Sequence, residues 1–183
     1  MLKDLIQKKT SFIDVRSPGE FNQGSIPLSI NIPILNDMER EIVGKAFKSS
    51  GQETAKKIGY ELVSGKIKHD RVNEWKKFIE ANPRSWLYCA RGGLRSEIAQ
   101  SWLKDIGLII DRVDGGFKSI RNFCLEVFEY INEDKNDWIV LAGRTGSDKT
   151  GMINKLNNSI DLEGLANHRG SAFGARSTKQ PSP

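Results

Sequence analysis

Short apolar runs alternate with longer amphipathic stretches along most of the chain. The runs predict strands at 11–15, 30–32, 86–88 and 108–113, and the stretches between them predict helices. Strands that alternate with helices imply a parallel sheet with helices on both faces. The pattern therefore predicts an α/β fold.

Polar residues at the ends of the amphipathic stretches predict where helices begin and end. Ser17 is followed by proline and, three residues after the serine, by glutamate. This combination predicts the start of a short helix. The region 37–68 is helical in pattern, with a capping box at 50–53 and Gly65 as a C-cap. Asp70 is expected to open a further helix that closes at Asn82.

Two more helices and a change of composition follow. Apolar positions predict helices after Gly93 and after Gly116, and Cys124 lies on the apolar stripe of the second, as a core residue would. A strand at 138–142 and a helix at 151–156 come next. The expected organisation is a domain at 1–131, a linker at 132–137 and an incomplete domain at 138–183, whose tail from Ser171 is polar and expected to be disordered.

Composition narrows the class of protein. The chain has 183 residues, 38% of them hydrophobic and 28% charged, as in a globular protein. Its net charge of +5 is compatible with nucleic-acid binding. Two distant cysteines form neither a disulfide framework nor a zinc pattern, and no run has the length of a membrane span or a signal peptide. We expect a cytoplasmic enzyme with a reduced thiol, no metal and no membrane attachment.

A cysteine at the end of the third strand stands before a basic, glycine-rich turn. The two glycines let successive N–H groups point into one concavity, and the following helix adds its positive end. A structural cysteine would need neither these glycines nor two arginines, so Cys89 is the candidate nucleophile and is expected to be deprotonated at neutral pH. The anion-binding loop would consist of Ala90, Arg91, Gly92, Gly93, Leu94, Arg95 and Ser96.

A second phosphate motif follows the strand at 138–142. The spacing matches a P-loop that would bind a nucleotide or a diphosphate through Gly143, Arg144, Thr145, Gly146, Ser147, Lys149 and Thr150. Asp148 stands where the motif has glycine, and its carboxylate would repel phosphates. Only 33 residues follow Thr150, too few for the rest of a P-loop domain, so the chain is expected to stop inside its second domain.

Several stretches together resemble one family, the tRNA 2-selenouridine synthases. They are the segments 14–21, 39–44, 62–65, 88–96, 115–118 and 161–174. The resemblance implies a rhodanese-like domain joined to a P-loop domain, here C-terminally truncated. It also implies an enzyme that replaces sulfur by selenium in wobble 2-thiouridine of tRNA through a geranylated intermediate. Selenophosphate and geranyl diphosphate would be its substrates, Cys89 its essential cysteine, and Mg²⁺ a ligand of a complete P-loop.

Two other functions remain open from the residues alone. The chain could be a sulfurtransferase that carries persulfide on Cys89, or a tRNA-binding remnant without activity. Five residues separate Cys89 from Arg95, as in cysteine phosphatases, and a loop of that size suits a tetrahedral oxyanion. Tyr88 replaces the histidine that precedes a phosphatase cysteine, which makes a phosphatase the weakest alternative. Nothing indicates an obligate protein partner.

Overall fold

The computed structural model describes residues 2–133, 137–144, 146–170, 172–178 and 180–181. The chain divides into two compact units, Met1–Asn132 and Glu133–Pro183. Within the described residues, no helix is both long enough and apolar enough to cross a bilayer.

Four parallel strands form the sheet of the first unit. They are β1 (Phe12–Asp14), β2 (Ser29–Asn31), β3 (Trp86–Tyr88) and β4 (Asp111–Arg112), in the order β2-β1-β3-β4. The α/β prediction is confirmed, but the strand expected at 108–113 pairs over two residues only. Ile110 and Val113, on either side of the two paired residues, are buried in the core, which explains their apolar character. The N–H of Val113 still donates to the carbonyl of Leu87 at 2.9 Å.

Eight helices are present among the described residues. The first unit has α1 (Leu2–Gln7), α2 (Pro18–Gln23), α3 (Asp37–Leu62), α4 (Gly65–Ala81), α5 (Leu94–Asp105) and α6 (Gly116–Glu133), and the second has α7 (Lys149–Ile153) and α8 (Leu162–Leu165).

Alternate side chains of the central strands feed two separate apolar clusters. Ile13 and Leu87 belong to one cluster with residues of α3, α4 and α5, whereas Phe12 and Tyr88 belong to the other with residues of α1 and α6. Successive strand residues point to opposite faces of a sheet. The helices therefore cover both faces, as predicted.

Helix α3 is a helical hairpin rather than one rod. Gly51 interrupts it with a φ of 82° and a ψ of −177°. A Cβ atom on Gly59 would lie 3.7 Å from a methyl group of Val43, although a straight helix would separate these residues by about 24 Å. The halves 37–50 and 52–62 thus fold back on each other, and the capping signal predicted at 50–53 marks the break.

The predicted start of the next helix at Asp70 is wrong. Helix α4 begins at Gly65, which has a φ of 52°, and the extended Ser64 precedes it as the N-cap. Asp70 lies inside the helix and pairs with Lys66 one turn earlier, at 2.5 Å. Gly65 therefore opens α4 instead of closing α3, whose C-cap is Val63.

In the second unit, the strand expected at 138–142 is not formed. Residues 137–144 belong to no helix or strand, and Ile139 and Val140 are 92% and 86% exposed. An apolar run becomes a strand only when a neighbour takes its hydrogen bonds, and β pairing in the described part of this unit is one bridge between His168 and Ala175. The expected helix at 151–156 is α7, which begins earlier and ends earlier.

Two further predictions fall partly outside the described residues. The linker is expected at 132–137. Residues 132 and 133 belong to helix α6, and residues 134–136 are not described. Of the polar tail expected to be disordered, residues 171, 179, 182 and 183 are not described, and Ala175 forms the bridge with His168.

Candidate functional site

Cys89 stands at the carboxyl end of β3, and the segment 89–93 carries the chain from there to the start of α5. The order of the sheet reverses between β1 and β3, and ligands of open α/β sheets bind in the crevice at such a point. Cys89 is 3% exposed and belongs to the apolar cluster beneath α3, α4 and α5. The fold thus places the thiol where the sequence predicted it.

The loop around Cys89 presents a row of free donors. None of the backbone N–H groups of residues 90–95 donates to another described residue. The carbonyl groups of Cys89 and Ala90 are instead satisfied by the N–H groups of Phe117 and Lys118, at 2.9 and 3.0 Å. Because these carbonyl groups already accept hydrogen bonds whereas the N–H groups of the loop have no acceptor among the described residues, the loop can bind an anion.

The turn at the start of α6 packs directly on this loop. Gly116 has a φ of 59°, and a Cβ atom there would collide with the carbonyl oxygen of Cys89 and the nitrogen of Gly92. Gly92 has a φ of 65° and has equally little room, since its own Cβ would lie 2.7 Å from the nitrogen of Gly115. Sequence reasoning assigned Gly92 to the loop and placed 115–118 in a family motif, but missed that Gly115 and Gly116 shape the site.

A serine one helical turn into α5 contacts the sulfur. Sγ of Cys89 lies 3.3 Å from Oγ of Ser96, and that hydroxyl donates to the carbonyl of Gly93 at 2.8 Å. Since the single hydroxyl proton is used on Gly93, the oxygen accepts from the thiol in this arrangement. A thiolate would instead accept a hydrogen bond from this hydroxyl, so Ser96 can form a hydrogen bond with either protonation state of Cys89.

Arg112, which no sequence signal singled out, lies behind the same loop. Its Nη1 donates to the carbonyl of Gly92 at 3.2 Å and to Oγ of Ser96 at 3.5 Å, and its Nε donates to Gln100 at 2.8 Å. It stands on β4, the strand next to β3. Nη1 also lies 3.6 Å from a carboxylate oxygen of Glu97. A positive charge that shares this carboxylate is therefore held beside the hydroxyl that contacts the sulfur, from a position 23 residues away in sequence.

Arg95, predicted to bind the anion, is held by an ion pair. Its guanidinium donates to both carboxylate oxygens of Glu20, at 2.5 and 3.1 Å. Burial alone would raise the pKa of Glu20, but the hydrogen bonds and charge of Arg95, the backbone of Ser17 and the charge of Arg40 outweigh it and lower this pKa to about 2. Arg95 must leave or share this carboxylate to contact a bound anion.

Arg91 differs from Arg95 in having no such restraint. Its side chain is exposed, and no described residue forms a hydrogen bond or ion pair with it. Within the loop, Arg91 is therefore the cation most readily available to an incoming anion.

A buried ion pair fixes the elements around the loop. Arg16 donates to the carboxylate of Asp14 at 2.7–3.1 Å and to the carbonyl of Gly24 at 2.6 Å, and its guanidinium lies 4.0 Å from the ring centroid of Phe117. Burial alone would lower the pKa of Arg16, but the hydrogen bonds and the charge of Asp14 outweigh burial and raise this pKa, so Arg16 stays charged. Arg16 thereby ties β1 and the end of α2 to the start of α6.

The P-loop-like segment is folded onto its own backbone. Nζ of Lys149 donates to the carbonyls of Gly143 and Arg144, each at 2.9 Å, and Ser147 donates to Arg144 at 2.8 Å. Asp148 is left-handed, with a φ of 54°. Gly146 and Thr150 are both described, and Thr145 lies outside the described residues. Lys149 would have to release both carbonyls before it could contact a phosphate.

The same segment is a poor fit for Mg²⁺. Thr150 would contribute one hydroxyl, but the described residues contain no group of three carboxylate, histidine or cysteine side chains that could hold a metal ion. The carboxylate of Asp148 lies where a Cβ on Gly151 would stand, against the first turn of α7. We therefore assign no step to a metal.

The described residues of the segment 161–174 form contacts with one another. Asp161 accepts from the N–H of Gly164 at 3.0 Å and so caps α8. Nδ1 of His168 accepts from the N–H of Gly170 at 3.1 Å, and the N–H of Arg169 donates to the carbonyl of Gly174 at 2.9 Å. These contacts give His168 a structural role within the turn.

Two families match different parts of the chain. The rhodanese-like domain matches residues 1–123, and the tRNA 2-selenouridine synthase AAA domain matches residues 136–183. A crystal structure titled as the N-terminal domain of a putative ATP/GTP binding protein from Clostridium difficile 630 is similar with a TM-score of 0.59 and 34% identity, over 64% of this chain and 90% of that one.

Curated relatives are similar over nearly all of this chain. The tRNA 2-selenouridine synthase of Pseudomonas aeruginosa (strain LESB58) is 48% identical over 180 residues, which are 98% of this chain and 48% of the relative. The enzyme of the same name from Shewanella denitrificans is 49% identical over 170 residues, 93% of this chain and 46% of the relative. The chain thus spans about half the length of the curated relatives it matches.

Proposed function

We propose that this chain, which belongs to the tRNA 2-selenouridine synthase family and carries its rhodanese-like domain, acts on selenophosphate in the replacement of sulfur by selenium in wobble 2-thiouridine of tRNA. The observation that carries the proposal is the row of free N–H groups at residues 90–95, which follows directly on Cys89. Such donors bind a tetrahedral oxyanion and stabilise the charge that develops on it.

Cys89 would be the nucleophile toward the bound selenophosphate. Attack of Sγ on phosphorus forms an S–P bond, and the P–Se bond breaks with its electron pair on selenium, so that hydrogen selenide leaves. Water then cleaves the S–P bond and releases phosphate. No atom changes its oxidation state, whereas transfer of the selenium onto sulfur would have to release phosphite.

The selenide generated in this way would react with an activated base. Sulfur at C2 of the uridine is a poor leaving group until an alkyl group is attached to it. In the S-geranylated base, a C–Se bond forms at C2 and geranylthiol leaves. We propose that the geranyl group comes from geranyl diphosphate, whose diphosphate would contact Gly143, Arg144, Thr145, Gly146, Ser147, Lys149 and Thr150. The tRNA substrate would place the enzyme in the cytoplasm.

A sulfurtransferase is the second candidate, favoured by the contact between Cys89 and Ser96. Attack of the thiolate on the outer sulfur of thiosulfate forms a persulfide and releases sulfite, and the Ser96 hydroxyl, 3.3 Å from Sγ, can donate to a sulfur anion there. The same free N–H groups would bind the sulfonate oxygens. The two functions differ in the donor consumed, so they are separable by experiment.

Labelled selenophosphate tests the proposal. The chain is incubated with selenophosphate carrying ³²P or ⁷⁵Se, quenched in acid and analysed by peptide mapping, and released selenide is trapped separately. We expect ³²P on the peptide that contains Cys89 and ⁷⁵Se in the trap. The Cys89→Ser variant should lose both signals, whereas Cys124→Ser, the matched control, should keep them.

Each contrary outcome has a distinct meaning. If neither ³²P nor ⁷⁵Se is found on the protein and no selenide is released, Cys89 does not react with selenophosphate and the proposal is wrong. If thiosulfate alone yields a Cys89-dependent persulfide with release of sulfite, the sulfurtransferase function replaces the proposal.

A further inference from the structure

An apolar cavity of about 340 Å³ lies between the helical hairpin α3 and helix α5. Val43 and Phe47 line it from the first half of α3, Ala55 from the second half, and Ile98 and Trp102 from α5. The break at Gly51 creates the cavity, because it folds the two halves of α3 back over α5. The side chain of Phe47 is 56% exposed, so the wall of the cavity reaches solvent.

The cavity and the Cys89 loop share a wall. Leu94 and Arg95, the last residues of the spacing that begins at Cys89, also line the cavity. Cys89 itself packs in the apolar cluster that contains Trp102. A ligand could therefore place one end in the cavity and another at the Cys89 loop.

The size and chemistry of the cavity define the class of ligand. Ligand sites usually measure about 300–1,000 Å³, so this cavity suits a single chain of atoms better than a whole nucleotide. Its polar lining consists of Gln52, Lys56, Arg95 and the hydroxyl-bearing Tyr60, and Arg95 is already paired with Glu20. An aliphatic chain fits this lining, with its polar end directed toward Arg95.

We infer that this cavity holds the aliphatic chain on sulfur of an S-alkylated 2-thiouridine while its base lies at the Cys89 loop. The inference rests on the proposed function, since it takes the geranylated base as the occupant. On this inference, the rhodanese-like unit binds the geranyl chain while selenium displaces sulfur from C2 of the base. The helical hairpin is then a substrate-binding element, and the cysteine loop reacts with what the hairpin holds.

A series of nucleosides tests the inference on the intact chain. The dissociation constants of S-methyl-, S-hexyl- and S-geranyl-2-thiouridine are measured by isothermal titration calorimetry at several temperatures. Burial of each methylene strengthens binding by up to about fourfold, so the geranyl compound should bind at least about tenfold more tightly than the methyl compound. Its binding should also show the more negative heat-capacity change, the mark of apolar burial.

Substitutions at two neighbouring positions of α3 distinguish binding in the cavity from nonspecific binding. Ala55 is buried against the cavity, so Ala55→Leu and Ala55→Trp should fill it progressively and weaken binding of the geranyl compound in that order. Thr54, its exposed neighbour, does not line the cavity, so Thr54→Trp should leave binding unchanged. Circular dichroism verifies that each variant is folded, and the graded Ala55→Leu variant provides a milder change than the tryptophan.

The outcomes distinguish the inference from the proposed function. Equal affinities for the three nucleosides, or equal effects of Ala55→Trp and Thr54→Trp in folded proteins, would overturn the inference even if Cys89 still takes ³²P from selenophosphate. Chain-length-dependent binding that Ala55→Trp abolishes supports the inference. If this binding occurs but Cys89 takes no label, the cavity binds the aliphatic chain as inferred and the proposed reaction of Cys89 is wrong.

Discussion

Cys89 and Cys124 differ in the groups that surround each sulfur, and we expect these groups to decide the order of reactivity rather than exposure. Cys89 is buried beside free N–H donors and the charge of Arg112, whereas Cys124 is only half-buried, against the apolar cluster of α6. We expect the anion iodoacetate to modify Cys89 preferentially, because the loop attracts a carboxylate. Neutral iodoacetamide should lose that preference and modify Cys124 comparably.

Mass spectrometry after limiting alkylation measures the ratio of the two products for each reagent. Inorganic phosphate should slow the reaction of Cys89 with iodoacetate and leave Cys124 unaffected. A preference of iodoacetate for Cys124 would refute the anion site at the loop.

The ion pair of Glu20 with Arg95 makes stability depend on pH in acid. The pKa of Glu20 is about 2 in the folded protein and lies near its usual value of 4.5 when unfolded. The unfolded state therefore binds the proton first as pH falls, so the stabilisation is complete above pH 4.5 and is lost toward pH 2. The loss is on the order of 1–3 kcal/mol, reduced from the full shift because the pair is partly solvated.

Thermal unfolding between pH 6 and pH 2.5 measures this effect. Glu20→Gln should flatten the part of the profile below pH 4.5 and should free Arg95, so that phosphate protects Cys89 from iodoacetate at lower concentrations. Glu41→Gln is the control, since Glu41 pairs with Lys45 on the solvent-exposed face of α3. Identical profiles for the two variants would show that the Arg95 pair contributes nothing specific.

At the scale of elements, the turn before α6 shapes the cysteine loop. Gly116→Ala would place a methyl group against Cys89 and Gly92 in a backbone conformation with positive φ, and should cost at least about 2 kcal/mol of stability. Gly93→Ala is the matched control, because a Cβ there meets nothing within 4 Å and its φ is −97°.

Chemical denaturation of the two variants, followed by alkylation under native conditions, separates stability from site geometry. We expect Gly116→Ala to lose both stability and the iodoacetate preference of Cys89, and Gly93→Ala to keep most of both. Equal stability of the two variants would mean that the turn can move away from the loop without cost.

The sequence predicted those elements whose signals are local. The capping box of Ser17 and Glu20 and the strand before Cys89 each depend on residues within one turn, and both are confirmed. The capping signal expected at 50–53 coincides with the break at Gly51 in α3. The helix start at Asp70 was wrong because an acidic N-cap signal also occurs within a helix, where the side chain pairs with Lys66. Local patterns do not distinguish these cases.

Contacts across long separations could not be predicted. Glu20 and Arg95 are 75 residues apart, and Arg112 reaches Ser96 only because β4 lies beside β3. The expectation that Arg95 serves an anion therefore omitted its carboxylate partner.

At the scale of the whole molecule, the two units differ in how completely they bury their apolar residues. The first has two clusters on opposite faces of a four-stranded sheet. In the second, Ile139, Val140 and Phe173 are at least 86% exposed. We propose the domain boundaries 1–131, 132–137 and 138–183 on this basis, with the chemistry of Cys89 confined to the first part.

The last prediction concerns the complete reaction. We expect the 183-residue chain to release selenide from selenophosphate but to form no 2-selenouridine from thiolated tRNA and geranyl diphosphate. In its second unit Lys149 is bound to backbone carbonyls, the run at 138–142 has no neighbouring strand among the described residues, and Asp148 stands among the positions proposed to bind phosphate. Asp148→Gly alone should therefore not restore activity, because it supplies neither a sheet nor further phosphate contacts.

Complementation distinguishes a missing activity from a damaged one. The part of the Pseudomonas aeruginosa relative that lies outside its match to this chain is added as a separate polypeptide, and tRNA nucleosides are analysed by mass spectrometry. If geranylation requires a sheet that this addition supplies, 2-selenouridine should appear with it and should depend on Cys89 of this chain. Efficient 2-selenouridine formation by the 183-residue chain alone would show that the exposed run at 138–142 and the occupied Lys149 do not limit the second unit.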